Sequence, residues 1–140
     1  MFHLFGSSAY LLLGIVISTT DLKHRVIRNR ELLILLVVGL LVNYSQFKPE
    51  TFRSLIFVTI ICLALYLIFH GKIGAGDIKL FWVISFWTPT FIQWLEGLTM
   101  SWLLGGLFAI AYATFNRLKG KLIPSIPFAP FIFVGFLPVI

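Results

Sequence analysis

Two aspartates, Asp21 and Asp77, are the residues of this sequence best placed to do chemistry. The chain has only five acidic residues among 140, and these two adjoin long apolar stretches. Asp21 follows "VISTT" directly, and Asp77 comes just before the apolar part of "GAGDIKLFW". An ionisable group beside hydrocarbon is costly, so it is expected to face a bundle interior or a wet cavity and to mark a functional site.

Two carboxyls that converge can divide the roles of acid and base. Close like charges cannot both ionise cheaply, so one pKa rises and one carboxyl keeps its proton. The base would take a proton from water, the water would attack a peptide carbonyl, and the acid would protonate the departing amine. Gly74 and Gly76 carry no Cβ, so the chain can turn sharply there and let a substrate backbone approach Asp77. The residues therefore indicate aspartyl proteolysis.

Other interpretations of the same residues stay open at this point. Asp21 could neutralise Lys23 and Arg25, and Asp77 could cap a helix. A non-enzymatic transporter or assembly subunit could use both aspartates as a proton or cation site, although such a site is expected near the membrane midplane. Lys79 could tune the pKa of Asp77 or only extend its ammonium to the membrane surface.

The composition is typical of an integral membrane protein. Hydrophobic residues make up 59% of the chain and charged residues 11%, against roughly 25% charged in a soluble domain. Residues 1–140 are expected to form a single domain. The one cysteine, Cys62, excludes a disulfide framework, and His24 and His70 lack partners at a metal-ligand spacing, so we expect neither a metal nor a cofactor. The net charge of +6 is assigned to topology and lipid contact, with no nucleic acid as partner.

Six apolar runs predict an all-α membrane bundle of about six transmembrane helices, because roughly 20 apolar residues cross a bilayer core. The runs lie at residues 3–20, 31–47, 52–70, 78–95, 97–115 and 122–140. The last run contains four prolines and should be broken or kinked. In the fifth run a ridge of small residues should allow close helix packing, and Gly106 widens this notch enough that it could also admit a substrate helix; the ridge consists of Ser101, Gly105, Ala109 and Ala113.

The basic residues predict the orientation of these spans. Nine of the eleven Lys and Arg fall in the first, third and fifth loops, and two fall in the second. The positive-inside rule puts the richer loops in the cytoplasm and both termini on the outer side. Asp21 and Asp77 then share the cytoplasmic face. Trp87 and Trp94 flank the uncharged fourth loop, as expected of aromatic residues at a membrane interface.

Three blocks of the chain resemble the GxGD aspartyl membrane proteases and, within them, the type IV prepilin peptidases. "GAGDIKL", from Gly74 to Leu80, resembles the GxGD motif with its following Lys-Leu pair. "DLKHRVIRN", which begins at Asp21, resembles the first catalytic segment. "IPFAPFIFVG", which begins at Ile126, is similar to the proline-rich segment of the last helix. The blocks occur in the family's order and cover nearly the whole chain.

The resemblance implies a function and a place for it. Asp21 and Asp77 would be the catalytic pair, with Gly74, Gly76 and Lys79 in the loop beside them. The substrate would be a pilin or pseudopilin precursor in the bacterial inner membrane, cut after its short basic leader at the cytoplasmic face. Nothing in the sequence indicates the oligomeric state.

Two departures from the family pattern shape the expectation further. Arg28 stands where the family usually has proline. No region with cysteine pairs corresponds to the N-methyltransferase part of the longer, bifunctional members. We therefore expect cleavage without methylation, in a short form resembling the peptidases of tight-adherence (Flp) pilus systems.

Overall fold

The computed structural model describes residues 2–46, 48–69, 73–119 and 126–140. Within these ranges the chain forms six α-helices, two short 3-10 helices and no strand, which confirms the all-α prediction. The α-helices are α1 (Phe2–His24), α2 (Asn29–Val42), α3 (Pro49–Ile68), α4 (Ala75–Ile84), α5 (Phe91–Leu118) and α6 (Ala129–Phe136). Four residues used in the sequence arguments lie outside the described ranges: His70, the loop lysines Lys72 and Lys121, and Pro124 of the proline-rich run.

The boundary between α4 and α5 lies earlier than the hydropathy indicated. Residues 85–90 separate the two helices, and Pro89 in this segment disfavours helical backbone at Thr88. Thr90 then caps α5, with its hydroxyl oxygen accepting a hydrogen bond from the Gln93 amide at 3.3 Å. Glu96, which the predicted runs 78–95 and 97–115 leave in a loop between two spans, instead lies within α5, so that prediction is wrong.

The proline-rich last run is broken, as predicted, within its described part. α6 is only eight residues long and is followed by a 3-10 turn, Leu137–Val139, that contains Pro138. Pro130 occupies the first turn of α6, where its missing N–H has no helical partner to lose. The run therefore supplies a short helix whose N-terminus lies inside the bundle, since Ala129 is fully buried.

The small-residue ridge of α5 brings α6 unusually close, which confirms its predicted packing role for Ser101 and Gly105. Both are buried, and a Cβ added to Gly135 of α6 would lie 2.5 Å from the Ser101 backbone nitrogen and 2.7 Å from its Cα. A Cβ on Gly105 would lie 3.0 Å from Cδ2 of Phe128 and closer still to Cε2. The two helices thus meet almost backbone to backbone.

Trp87 and Trp94 are core residues, so their predicted interfacial position is wrong. Both are almost completely buried. The Trp87 indole N–H donates to the Leu35 carbonyl at 3.0 Å, and the Trp94 indole N–H donates to the Phe81 carbonyl at 3.0 Å. Gly39 leaves room for the first ring, because a Cβ there would lie 2.6 Å from its indole nitrogen. Each indole buries its bulk and satisfies its single donor inside the bundle.

The outer surface of the described chain is strongly apolar. Two helices, α3 and α5, are long and apolar enough to cross a membrane. Large hydrophobic side chains project outward along both, including Ile60, Leu63 and Leu67 on α3 and Leu103, Leu107 and Ile110 on α5. Contiguous exposed apolar surface of this kind is typical of contact with lipid or with another protein.

The close approach of α5 and α6 predicts that Gly135→Ala destabilises the protein. The added methyl would meet the Ser101 backbone, which cannot move aside as a side chain could. We expect a loss of about 1–3 kcal/mol in the free energy of unfolding, measured by denaturant titration in a fixed detergent. Gly106→Ala is the matched control, because its Cβ would meet nothing within 4 Å. Equal unfolding midpoints for the two variants would contradict the packing described.

Candidate active site

Asp21 lies in the last turn of α1, at the point where the chain leaves the helix. Its backbone carbonyl accepts a hydrogen bond from the Arg25 amide at 2.8 Å, and Arg25 has a positive φ of 53°. Left-handed backbone at this position ends helices, although glycine usually supplies it. Arg25 thereby turns the chain away, while the Asp21 side chain stays inside the bundle with 6% of the residue exposed.

The carboxyl of Asp21 is held by the N-terminus of α6. The amide of Ala129, the first residue of α6, donates a hydrogen bond to Asp21 Oδ2 at 3.1 Å. The first amides of a helix have no partner within the helix, and the helix N-terminus carries partial positive charge. A buried carboxyl and an unpaired helical amide therefore satisfy each other across 108 residues of sequence.

Asp77 lies in the first turn of α4, directly after the two glycines. Gly74 precedes the helix with φ −61° and ψ 130°, a conformation open to any residue, so the turn itself does not require glycine. The missing Cβ matters instead: on Gly74 it would lie 3.0 Å from Asp77 Oδ2, and on Gly76 it would lie 3.2 Å from Cβ of Ile27. The glycines keep space open beside the Asp77 carboxyl and let α4 approach the segment after α1.

Asp21 and Asp77 line the same cavity, of about 820 Å³. The two aspartates come from different helices, α1 and α4, and 56 residues of sequence separate them. Gly74, Gly76 and Arg25 also line the cavity. The rest of its wall within the described ranges is mainly apolar and comes from the segments after α1 and α3, from α4 and α5, and from the segment before α6, including Phe69, Phe81, Trp102, Gly106, Ala109 and Phe128. The structure thus brings the predicted pair of aspartates to one partly enclosed space.

The cavity raises the pKa of Asp77. Asp77 lies ahead of the predicted span 78–95 and outside both helices that qualify as spans. Burial, which penalises the charged form, and secondarily the nearby charge of Asp21 raise the pKa of Asp77 from 3.8 to about 6. A carboxyl with such a pKa is still largely protonated in mildly acidic solution, so Asp77 is the member of the pair suited to donate a proton.

Lys79 lies apart from this arrangement. Its side chain is exposed, and its ammonium donates a hydrogen bond to the Asn29 side-chain oxygen at 3.3 Å. This contact joins α4 to the N-terminus of α2. The cavity wall includes Gly74 and Gly76 but not Lys79.

Sequence reasoning did not identify two partners of the segment around Asp21, the Ala129 amide and Glu31. Glu31 accepts a hydrogen bond from the Thr20 hydroxyl at 3.1 Å and so ties α2 to the residue before Asp21. In the sequence, the hydroxyl residue Thr20 directly before Asp21 is the feature that could have indicated this contact. The proline-rich block around Ala129 was recognised, but a backbone donor has no signature of its own in a sequence.

The chain is similar to known leader peptidases. A family model described as the type IV leader peptidase family matches residues 8–115. A prepilin leader peptidase/N-methyltransferase of Bacillus subtilis (strain 168) is 29% identical over 140 aligned residues, which cover 95% of this chain and 54% of that protein. The chain therefore spans about half the length of the curated relative it matches. No solved structure matches.

The raised pKa of Asp77 predicts a pH-dependent stability. Because the native carboxyl binds its proton more tightly than the unfolded chain does, the protonated group stabilises the fold below about pH 4, and this contribution is lost as the pH rises through about 6. In the Asp77→Asn variant, the decrease in the free energy of unfolding over this pH range should be smaller than in the wild type by on the order of 1–2 kcal/mol. Denaturant unfolding in one detergent between about pH 4 and pH 7 measures it.

Glu96→Gln is the control for this measurement, because Glu96 is an exposed carboxyl on α5. The Glu96→Gln variant should keep the pH dependence of the wild type. If the Asp77→Asn variant lost stability with rising pH as steeply as the wild type does, Asp77 would not hold its proton in the folded state.

Proposed function

The chain belongs to the type IV leader peptidase family, and we propose that it removes the leader of a type IV pilin or pseudopilin precursor by water attack between Asp21 and Asp77. The observation that carries the proposal is the shared cavity, in which two carboxyls from different helices face one space. Family membership supports leader cleavage in general, and the cavity supports the assignment of the chemistry to these two residues.

The proposed reaction uses the two carboxyls in different protonation states. The ionised carboxyl accepts a proton from a water molecule, and the water oxygen bonds to the carbonyl carbon of the scissile peptide. The protonated carboxyl donates its proton to the departing amine nitrogen as the C–N bond breaks. No bond forms between protein and substrate, so the chain needs no activated serine or cysteine nucleophile.

The cavity wall suits an apolar peptide segment passing close to Asp77. Gly106 leaves open space where a side chain would stand, whereas Gly105 beside it is covered by Phe128. We assign Gly74 and Gly76 to substrate access on the Asp77 side, because any side chain on Gly74 would crowd the Asp77 carboxyl. Lys79 lies on α4 and is assigned a supporting role beside the site, through its hydrogen bond to Asn29 at the start of α2.

We place the reaction at the cytoplasmic face of a bacterial inner membrane. The apolar outer surface of α3 and α5 supports a membrane location. The proposal extends this to about six spans with both termini outside, on the distribution of Lys and Arg among the loops. In that orientation both aspartates lie at the cytoplasmic end of their helices, where a precursor anchored by its own apolar helix would present its leader.

We propose cleavage without methylation for this chain. The relative from Bacillus subtilis is named both a peptidase and an N-methyltransferase, and we propose only the first of these activities for the 140 residues described. The 140 residues contain one cysteine, Cys62, so they hold no cysteine pairs like those of the longer bifunctional members. The trimmed precursor should therefore leave the reaction with an unmethylated N-terminus, which mass spectrometry of the product measures.

The central prediction is that both aspartates are required for cleavage. In cells that coexpress a precursor, Asp21→Asn and Asp77→Asn should each slow leader removal by at least about 100-fold, because each variant removes one proton-transfer group. The size shift of the precursor, followed over time, measures the rate. Glu96→Gln is the control and should cleave at the wild-type rate, because it neutralises an exposed carboxyl outside the cavity wall.

Two results would count against the proposal in different ways. Normal trimming by either single variant would exclude the two-aspartate mechanism. Failure of the wild type on several precursors, together with proton or cation flux that depends on Asp21 and Asp77 in liposomes, would favour the transporter alternative.

The cleavage rate should also pass through a maximum with pH. The reaction needs one proton on the pair, so kcat/KM should fall at low pH, where a second proton binds, and at high pH, where the last proton is lost. The pKa of Asp77 places the upper limb near pH 6. Initial rates with purified protein in detergent measure the profile, and a flat profile from acidic to alkaline pH would contradict the shared proton.

A further inference from the structure

We infer that the backbone amide of Ala129 is a positioning group that makes Asp21 the base of the pair and leaves the catalytic proton on Asp77. This inference rests on the proposed function, because it assigns the two roles that the function leaves open. It adds a residue from the proline-rich segment to the machinery, through a main-chain atom.

The geometry at Asp21 favours its ionised form. Asp21 is 6% exposed, and its Oδ2 accepts the Ala129 N–H at 3.1 Å. A hydrogen bond from an amide to a charged carboxylate is stronger than one to a neutral carboxyl. The amide also belongs to the first residue of α6, where the helix dipole adds favourable positive potential.

The surroundings of Asp77 act in the opposite direction. Burial raises the pKa of Asp77 to about 6, and the Asp21 charge adds to this effect. Among the described residues that line the cavity, the charged groups are Asp21 and Arg25 at the end of α1 and Asp77 on α4. The other described wall residues, which come from the segments after α1 and α3, from α4 and α5 and from the segment before α6, are uncharged. Ionised Asp21 therefore makes Asp77 the favoured holder of the proton.

α6 is held firmly enough to keep this amide in place. Gly135 brings its backbone against Ser101 of α5, and Phe128 covers Gly105. α1 is tied to α6 a second time, because the Tyr10 hydroxyl donates to the Phe133 carbonyl at 3.3 Å. Packing from α5 and two hydrogen bonds from α1 thus fix the direction of the Ala129 N–H.

The assignment gives each oxygen and proton of the reaction a place. Oδ2 of Asp21 stays on the Ala129 amide, and Oδ1 takes the proton from the attacking water. The water oxygen bonds to the peptide carbon, and the Asp77 proton passes to the amine nitrogen as the peptide bond breaks. Asp21 then holds the proton taken from water, and its transfer to Asp77, directly or through solvent, restores the starting state.

A single-atom change tests the role of the amide. Incorporating the α-hydroxy analogue of alanine at position 129 by nonsense suppression replaces the N–H with an ester oxygen and keeps every side chain. The Asp21 carboxylate then loses a hydrogen-bond donor. The apparent pKa that describes the acidic limb of the kcat/KM profile should therefore rise by about one to two pH units. The rate at the optimum should fall about 10- to 100-fold with little change in KM.

The matched control is the same exchange at Ile132, with its own α-hydroxy analogue. The Ile132 amide donates to the Phe128 carbonyl within the first turn of α6, so the ester weakens the helix without touching Asp21. It should leave the acidic limb of the pH profile at its wild-type position. A limb that moves equally in both ester proteins, or in neither, overturns the role of the Ala129 amide.

Carboxyl carbon NMR of the unmodified protein tests the same assignment without any variant in the titration. With labelled aspartate, and the Asp77 signal identified as the one missing from the Asp77→Asn protein, the Asp77 carboxyl should keep its proton up to about pH 6. An Asp77 carboxyl that is already ionised well below that pH overturns the assignment even if leader cleavage is normal. A wild-type protein that cleaves no precursor overturns the proposed function instead, so the two failures are distinguishable.

Discussion

A carboxyl buried in an apolar bundle needs a donor, and the hydrogen bond between Asp21 and the Ala129 amide meets that need. The rest of the arrangement depends on it. α6 must begin inside the bundle, next to the end of α1, and a long continuous helix would place its N-terminus elsewhere. The break in the proline-rich run and the close packing of α5 on α6 are the two features that bring a free helical amide to this point.

Small residues have two different roles around the site. On α5, Ser101 and Gly105 are small so that parts of the same chain, Gly135 and Phe128, can fill the space. Gly74 and Gly106 border the cavity, and at Gly106 no atom of the chain comes near the position of a side chain. The first role stabilises the fold, and the second keeps volume free in the cavity that the aspartates line. The two roles are adjacent at Gly105 and Gly106: both line the cavity, but Phe128 covers Gly105, whereas the space at Gly106 stays open.

Hydropathy and motif spacing predicted the helical class, the meeting of Asp21 and Asp77 at one cavity and the packing at Ser101 and Gly105, because each rests on side-chain chemistry. They did not predict where α4 ends, since residues 85–88 remain buried or half-buried after the helix stops and so look continuous with it. Trp87 and Trp94 were misassigned for a related reason: an indole suits a membrane interface and also a core that offers a carbonyl. The left-handed turn at Arg25 and the amide of Ala129 are backbone features, and side-chain patterns do not report them.

In the proposed mechanism Asp21 and Asp77 act on the same peptide bond. The most direct test is an experimental structure with a precursor segment whose scissile amide is replaced by a hydroxyethylene group. The mechanism predicts that the hydroxyl lies within hydrogen-bonding distance, about 2.5–3.0 Å, of both carboxyls. A hydroxyl that contacts only one aspartate, or a segment bound outside the cavity, would contradict it.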